Sequence, residues 1–466
     1  MKRLMLLFSL GLLAVMPLAA QEATPDAPPV ATAEAALTAP ETGDVPPPMP
    51  VVDEGGYDII NILLLGATTN STSNNPGLTD SILIVSINRD TGGVSVVSIP
   101  RDYWVYAPDV GMSKINQVYY FGERAAAGTG IDLLKRTILY NLGLTIDFYA
   151  RVNFDTFAEL INTFGGVELT VDCAIQDWVL RSPELDRSDP DSWELTTLNA
   201  GRHTVRGDQA LWYVRSRRTS SDLDRGRRQQ DVMRALYRKI QQEGLLENFP
   251  LLWQQLNRLV VTDVTLPDAL NLLPVALNTS TADVRYFVFQ LQREVNNGYS
   301  DDEGRFILIP VREVVAELMQ NVVLPPTASQ IRRIIPTVAI VNASGVRGMD
   351  YVAADRLELE GFRTVVLDEE APRRGESEVI DYTGLDKSNP VTAIVDVLSI
   401  PEDTVQTQPD PQRTYDYKVY LGSQYQFRSC TRPVIPPRPV SQDTPTPAAP
   451  ADAPPAATEA PAAPGG

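Results

Sequence analysis

Apolar residues recur along the chain with strand or helix spacing, interrupted by stretches that hold almost none. Tyr57-Asp58-Ile59-Ile60-Asn61-Ile62-Leu63-Leu64-Leu65-Gly66 is a near-continuous apolar run closed by Gly, which predicts a strand buried on both faces. Ser81 to Ile87 and Val94 to Ile99 predict two further strands. The turn chemistry of Asp90-Thr91-Gly92-Gly93 joins them as a hairpin, and Pro100 ends the second. Helical spacing follows at about 114–126, 131–142 and 154–164, the last closed by Gly165-Gly166. Val167 to Val171 is a strand pattern, and helical patterns return at about 207–214, 222–243, 248–260 and 266–278. Such an order predicts an α/β fold with a mixed central sheet flanked by helices.

A second, smaller α/β domain is predicted over residues 336–422. Val338 to Val341 is a strand ending in Asn342-Ala343-Ser344-Gly345, and a helix over about 348–360 closes at Gly361. Strands at Thr364-Val365-Val366-Leu367, at 378–382 and at Tyr417 to Leu421 follow, with a helix over 390–398. The first domain then covers 54–321, and residues 322–335, with Pro325-Pro326, read as the hinge. Residues 21–53 and 433–466 are rich in Ala and Pro, too poor in large apolar groups to offset their ordering entropy, and read as disordered linker and tail. Residues 1–20 read as an export signal, with Lys2 and Arg3 before an apolar run to Ala20. That run is short for a membrane-spanning helix and ends in small residues, which favours cleavage over a retained anchor. The expected location is therefore the extracytoplasmic cell envelope, secreted or anchored.

Charge narrows the chemistry. With 40 Lys+Arg against 59 Asp+Glu the formal net charge is -19, which argues against general nucleic-acid binding. A single histidine, His203, gives poor support to His-metal clusters or a Ser-His-Asp triad, and beside Arg202 it reads as a packing residue. The two cysteines, Cys173 and Cys430, lack metal-ligand spacing and are either a disulfide or two buried thiols.

Against this acidic background, nine arginines fall between Arg202 and Arg234. Guanidinium is a planar donor fork that meets phosphate oxygens bidentately and stays charged at any working pH. The cluster is either a diphosphate-binding set or a solvated, ion-paired helix face. Arg215 and Arg217 share a face only if Tyr213 to Arg217 is extended. Asp222, Arg225 and Gln229 form one helical stripe, with Asp222 near a helix start where a carboxylate is favoured. Further polar groups sit at predicted element ends, where open sheets keep their sites: Asp80 before one strand, Arg101 and Asp102 after another, and Lys114 and Asn116 at a helix start. Ionised Asp80 suits magnesium, which takes one or two carboxylates together with substrate phosphates.

The stretches NILLLG, LTDSILIVSINRDTGGVSVVSIPRD, KIN, NTFGGVELTV and GDQALWYVRSRRTSSDLDRGRRQQ resemble, in order, the LytR–CpsA–Psr family over about residues 57–243. VAIVNASGVRGMDYVAADRLELEGFRTVV and YKVYLG resemble the C-terminal domain often attached to it. The resemblance implies a magnesium-dependent phosphotransferase, moving a glycopolymer from a polyprenyl-pyrophosphate carrier to a cell-wall acceptor such as peptidoglycan. It implies Asp80 as the metal ligand and Arg101, Lys114, Arg215, Arg217, Arg225 and Gln229 around the pyrophosphate, with Asp80, Arg101 and Arg217 central to catalysis and Asp102, Asn116 and Asp222 in support. The membrane is met through the lipid substrate, and no nucleic acid is involved. One departure stands out: Leu65-Gly66-Ala67-Thr68 replaces the family's Leu-Gly-Ser-Asp pattern, so a hydroxyl stands where a carboxylate is usual. This keeps open a non-catalytic lipid-pyrophosphate-binding protein of the envelope. A transcription regulator, suggested by older family names, conflicts with the export signal and the acidity.

Overall fold

The computed structural model describes residues 45–68, 76–182, 184–186, 188–216, 222–279, 284–300, 304–325, 336–385 and 389–425, with Asp222 described by its backbone alone. The proposed export signal and C-terminal tail lie outside these residues. Among the described residues no helix is long and apolar enough to cross a membrane.

In chain order the first domain has strands β1 (Ile59–Ala67), β2 (Thr79–Asn88), β3 (Val94–Ser98), β4 (Trp104–Ala107), β5 (Gly111–Lys114), β6 (Phe148–Val152) and β7 (Val167–Val171). These are followed by β8 (Ile175–Leu180), β9 (Trp193–Leu198), β10 (Gly201–Val205), β11 (Val261–Thr262), β12 (Val284–Val288), β13 (Val295–Tyr299) and β14 (Phe306–Pro310). Its helices are α1 (Ile115–Ala125), α2 (Gly130–Leu142), α3 (Phe154–Thr163), α4 (Gly207–Arg215), α5 (Asp222–Gln242), α6 (Phe249–Leu259), α7 (Leu266–Asn278) and α8 (Arg312–Val323).

Six strands form the central sheet in the order β11-β6-β1-β2-β3-β12. It is mixed, as the sequence predicts: β1 pairs antiparallel with β2 and parallel with β6, and β3 pairs antiparallel with β2 and parallel with β12. One sheet face is fully covered. Leu63, Leu65, Ile82, Ile84 and Val97 pack with apolar residues of α1, α2 and α8 in the largest core. The opposite face is covered in part. Leu83, Val96 and Val284 are buried there, against Met233 of α5, whereas Leu64, Val85, Val94 and Tyr286 are only half-buried. Ile60, Ile62 and Ile87, on the same face by strand alternation, are half-buried too. The expectation that β1 is buried on both faces is therefore corrected, because among the described residues no helix seals its second side. Helix α7 links edge strand β11 to the segment before edge strand β12, and none of its residues is buried. It is held on this side by Tyr237 of α5, whose hydroxyl donates to the Ala276 and Thr279 carbonyls.

Two boundaries shift. Residues 45–53, read as linker, run as an ordered strap along α2 and α8: the Tyr140 hydroxyl donates to Pro46 O, Met49 N to Tyr140 O, and Val52 N to Gly143 O. Val322 and Val323, read as the start of the hinge, are buried in the main core as the end of α8. The sequence reading also passed over the α8 pattern and the β13–β14 hairpin.

The second domain is a five-stranded sheet of β15 (Thr337–Asn342), β16 (Arg363–Leu367), β17 (Glu378–Asp381), β18 (Val405–Thr407) and β19 (Tyr417–Leu421) in the order β16-β15-β19-β17-β18. Helices Met349–Leu359 and Val391–Leu398 share one core with it, and Ala200 of the first domain enters that core. Charges join the domains along α5. Asp355 pairs with Arg234 at 3.2 Å and Arg238 at 3.2 Å, and Arg356 pairs with Asp172 at 2.7 Å. Cys173, next to Asp172, is disulfide-bonded, and the chain's other cysteine, Cys430, lies outside the described residues.

Candidate functional site

The sheet's open end gathers the site. β2 begins with an irregularity in its pairing with β1: Gly66 faces Ser81 and Ala67 faces Thr79, so Asp80 is skipped. Such a bulge re-aims a side chain that regular alternation would send elsewhere. Gly66 permits the pairing, since a Cβ there would stand 2.9 Å from Ser81 Cβ. The Asp80 carboxylate then accepts Arg101 Nη1 at 3.1 Å and Asn116 Nδ2 at 2.9 Å, and Arg225 Nη2 donates to the Asp80 backbone carbonyl at 3.2 Å. These partners come from the loop after β3, the first turn of α1 and the first turn of α5.

Asp80, Arg101, Arg225 and Gln229 line one cleft, with Ile99, Pro100, Leu223, Val288 and Phe289 as its apolar walls. Gly226 lets α5 approach the end of β3, because a Cβ there would lie 2.7 Å from Ser98 Oγ. The first two turns of α5 thus face the cleft, and helix N-termini favour anions through unpaired amides and the macrodipole. Lys114 Nζ donates to Asp102 Oδ1 at 2.7 Å, and Arg101 Nε lies 3.4 Å from Asp102 Oδ2. Arg101, Lys114 and Arg225 thus gather cationic groups around Asp80 and Asp102, in a chain of net charge -19.

The predicted residues therefore divide. Asp80, Arg101, Arg225 and Gln229 meet in the cleft. Lys114 and Asn116 stand behind it, one on Asp102 and the other on Asp80. Asp102, expected in support, is only 5% exposed and is engaged by Lys114. Arg215 is not extended as expected. It is the last residue of α4, exposed, with its guanidinium 4.0 Å from the Phe154 ring centroid, and it does not line the cleft. The reason is Arg228, which is buried and donates to the carbonyls of Tyr213 and Ser216, closing the C-terminus of α4. Arg217 and the Asp222 side chain lie outside the described residues. Thr68, where the family pattern has Asp, accepts Leu78 N on its hydroxyl at 3.2 Å while its own N–H donates to Leu78 O at 2.9 Å. It joins the end of β1 to the residue before β2. His203 is half-buried, with Nε2 2.8 Å from Asn199 O, and takes no part.

Sequence reasoning missed three things. Arg228 had the same sequence signal as Arg225, and only tertiary placement separates them. The cleft walls Val288 and Phe289 gave no signal. Asp231 is the third. Burial pushes its carboxyl up to about 7, with Asp172 and Asp355 adding to the rise and Arg234 and Arg227 opposing it.

With the geometry in hand, comparison places the chain. The sequence model of the LytR_cpsA_psr family matches residues 38–305, and that of the LytR cell envelope-related transcriptional attenuator matches 336–425. The chain belongs to the LytR_cpsA_psr family. It is 29% identical over 222 residues to the polyisoprenyl-teichoic acid–peptidoglycan teichoic acid transferase TagT of Bacillus subtilis (strain 168), covering 47% of this chain and 64% of that one. It is 36% identical over 180 residues to a transferase TagU of Oceanobacillus iheyensis, covering 38% of this chain and 50% of that one. The chain thus spans between 50% and 64% of the length of these two relatives. Among solved structures, Bacillus subtilis TagV aligns with a TM-score of 0.47 at 21% identity, over 58% of this chain and 99% of that one. TagT with bound octaprenyl pyrophosphate lipid aligns with a TM-score of 0.40 at 24% identity, over 58% of this chain and 90% of that one.

Proposed function

We propose that this chain binds a polyprenyl pyrophosphate bearing a glycopolymer and transfers the glycopolymer to a cell-wall acceptor such as peptidoglycan, outside the cytoplasm. The observation that carries the reading is the meeting of Arg101, Arg225, Gln229 and Asp80 in one cleft whose walls are apolar, beside a sheet face whose apolar residues are left half-exposed. A pyrophosphate needs converging cationic donors; a prenyl chain needs a strip such as Ile60, Ile62, Leu64 and Val85. The named activities of TagT and TagU support the same reading.

In this reading Arg101 and Arg225 hold the pyrophosphate oxygens and neutralise charge as it shifts to the leaving lipid phosphate. Gln229 adds a neutral donor, and Asp80 fixes the Arg101 guanidinium. An acceptor hydroxyl attacks the phosphorus that bears the sugar, the bond to the bridging oxygen breaks, and prenyl phosphate leaves. The residues fit magnesium in one mode. Among the described residues no group of three or more His, Cys, Asp or Glu could hold a metal. Yet magnesium is commonly held by one or two carboxylates plus substrate phosphates. Asp80 supplies one carboxylate, and Asn116 Oδ1 beside it is buried with no hydrogen-bond partner. Asp80 would therefore hold the ion and Asn116 Oδ1 would assist. When bound, magnesium supplies charge neutralisation at the phosphate oxygens.

The test is transfer from a prenyl-pyrophosphoryl glycan to peptidoglycan by the full chain, with Asp80→Asn and Arg101→Ala compared under equal folding. Loss of product in both supports the reading, and full activity in both rejects it. Thr68 favours a second reading, binding without transfer, since its hydroxyl is already committed to Leu78. Tight calorimetric binding with no product in the presence of magnesium and acceptor selects that one.

A further inference from the structure

The β13–β14 hairpin carries two aromatic rings that its own packing does not use. Tyr299 and Phe306 face each other across the ladder, edge to face, with centroids 6.1 Å apart. They are 69% and 38% exposed, whereas Val295, Ile307 and Leu308 of the same hairpin are 0–3% exposed, and Val295 and Leu308 pack into the main core. Leaving two large rings in water on so firmly anchored a hairpin forgoes burial that aromatic side chains usually find.

Their position gives them a use. Leu308 N donates to Asp102 O at 2.8 Å, and Leu308 forms a parallel bridge with Tyr103. These contacts put β14 against Asp102, the residue that follows the cleft's Arg101. The hairpin also belongs to a definite side. Val295, Leu308 and the cleft wall Phe289 are part of the core on the covered sheet face, while the half-exposed strip of Leu64 and Val85 lies on the other face. A pyrophosphate in the cleft sits between the two. In the proposed function the prenyl chain takes the apolar strip, which leaves the hairpin side to the other substituent.

We infer that Tyr299 and Phe306 form a saccharide subsite that stacks on the sugar attached to the pyrophosphate. One face of a pyranose ring presents C–H groups, which pack on aromatic π faces, while its hydroxyls stay hydrated. An exposed pair of rings at a charged cleft suits that mixed chemistry better than it suits a second apolar chain. The inference rests on the proposed function and specifies which end of the ligand lies where.

The experiment is calorimetric titration of the full chain and of the Tyr299→Ala/Phe306→Ala double variant with two water-soluble probes, farnesyl diphosphate and its glucosyl conjugate. Both positions are exposed, and unchanged thermal melting confirms the fold. The expected result is tighter binding of the conjugate by the parent chain. The variant loses about 5- to 20-fold on the conjugate and nothing on farnesyl diphosphate. Equal effects on both probes, or no effect on either, overturn the subsite while leaving the proposed function standing. Failure of the parent chain to bind either probe removes the proposed function itself. If the variant instead loses flotation with phosphatidylcholine vesicles and keeps both probes, the hairpin is a membrane contact and the inference is wrong.

Discussion

The two faces of β1 and β2 are built from the same residue types and end in different surroundings. On one, Leu63, Leu65, Ile82 and Ile84 are 0–2% exposed beneath α1, α2 and α8. On the other, Ile60, Ile62, Leu64, Val85 and Ile87 remain half-exposed, because α5 covers only the β3–β12 end and α7 has no buried residue. The first face contributes stability. The second keeps part of an apolar surface unburied and forgoes a fraction of the stabilisation that complete burial of those side chains would add. A strip of this kind beside a cationic cleft is useful to a protein whose ligand is amphipathic.

The largest expected effect tests the contrast itself. Ile84→Ala opens a cavity in the covered face and should cost about 2–5 kcal/mol in urea unfolding, whereas Val85→Ala, one residue along, should cost less than about 1.5 kcal/mol. Equal costs would mean that the two faces do not differ. Next, Ile62→Trp fills the strip without entering the covered core. It should weaken farnesyl diphosphate binding about 10-fold, leave inorganic pyrophosphate binding unchanged and barely move the melting temperature. A parallel loss with both ligands would separate the strip from the tail.

A further effect concerns the helix that partly covers the second face. Asp231 on α5 is faced by Arg234 and Arg227 on its own helix, by Asp172 after β7 and by Asp355 of the second domain. Its carboxyl is raised from 3.8 to about 7, so between these values the folded chain holds a proton that the unfolded chain has released. Stability from this group is therefore complete below about pH 4, falls as pH rises, and is fully lost above about pH 7. Asp231→Asn should flatten that part of the stability–pH curve, as read by melting from pH 4 to 8. An unchanged slope would assign the pH dependence to other groups.

Much of this architecture was legible in the residues. The β2–β3 hairpin followed from its Asp-Thr-Gly-Gly turn, and the small domain's strand–helix order from Gly345 and Gly361 at its element ends. The two unlike faces of β1 were not legible, since a run of Ile and Leu is the same string whether a helix covers it or not. The arginine cluster was legible as a cluster and misleading as a unit. At about 100° per helical residue, Arg225 and Gln229 point one way on α5, while Asp231, Arg234 and Arg238 point nearly the opposite way, toward the second domain. Arg228 turns to α4. The bulge that aims Asp80 is a relation between two strands and leaves no mark in either alone.

The most direct measurement is a crystal structure of the full chain soaked with farnesyl diphosphate. The account predicts the diphosphate between Arg101 and Arg225, with the farnesyl chain running over Ile62 and Leu64 beneath α7. A diphosphate bound elsewhere, or a tail lying on the α1–α2 side of the sheet, would contradict it.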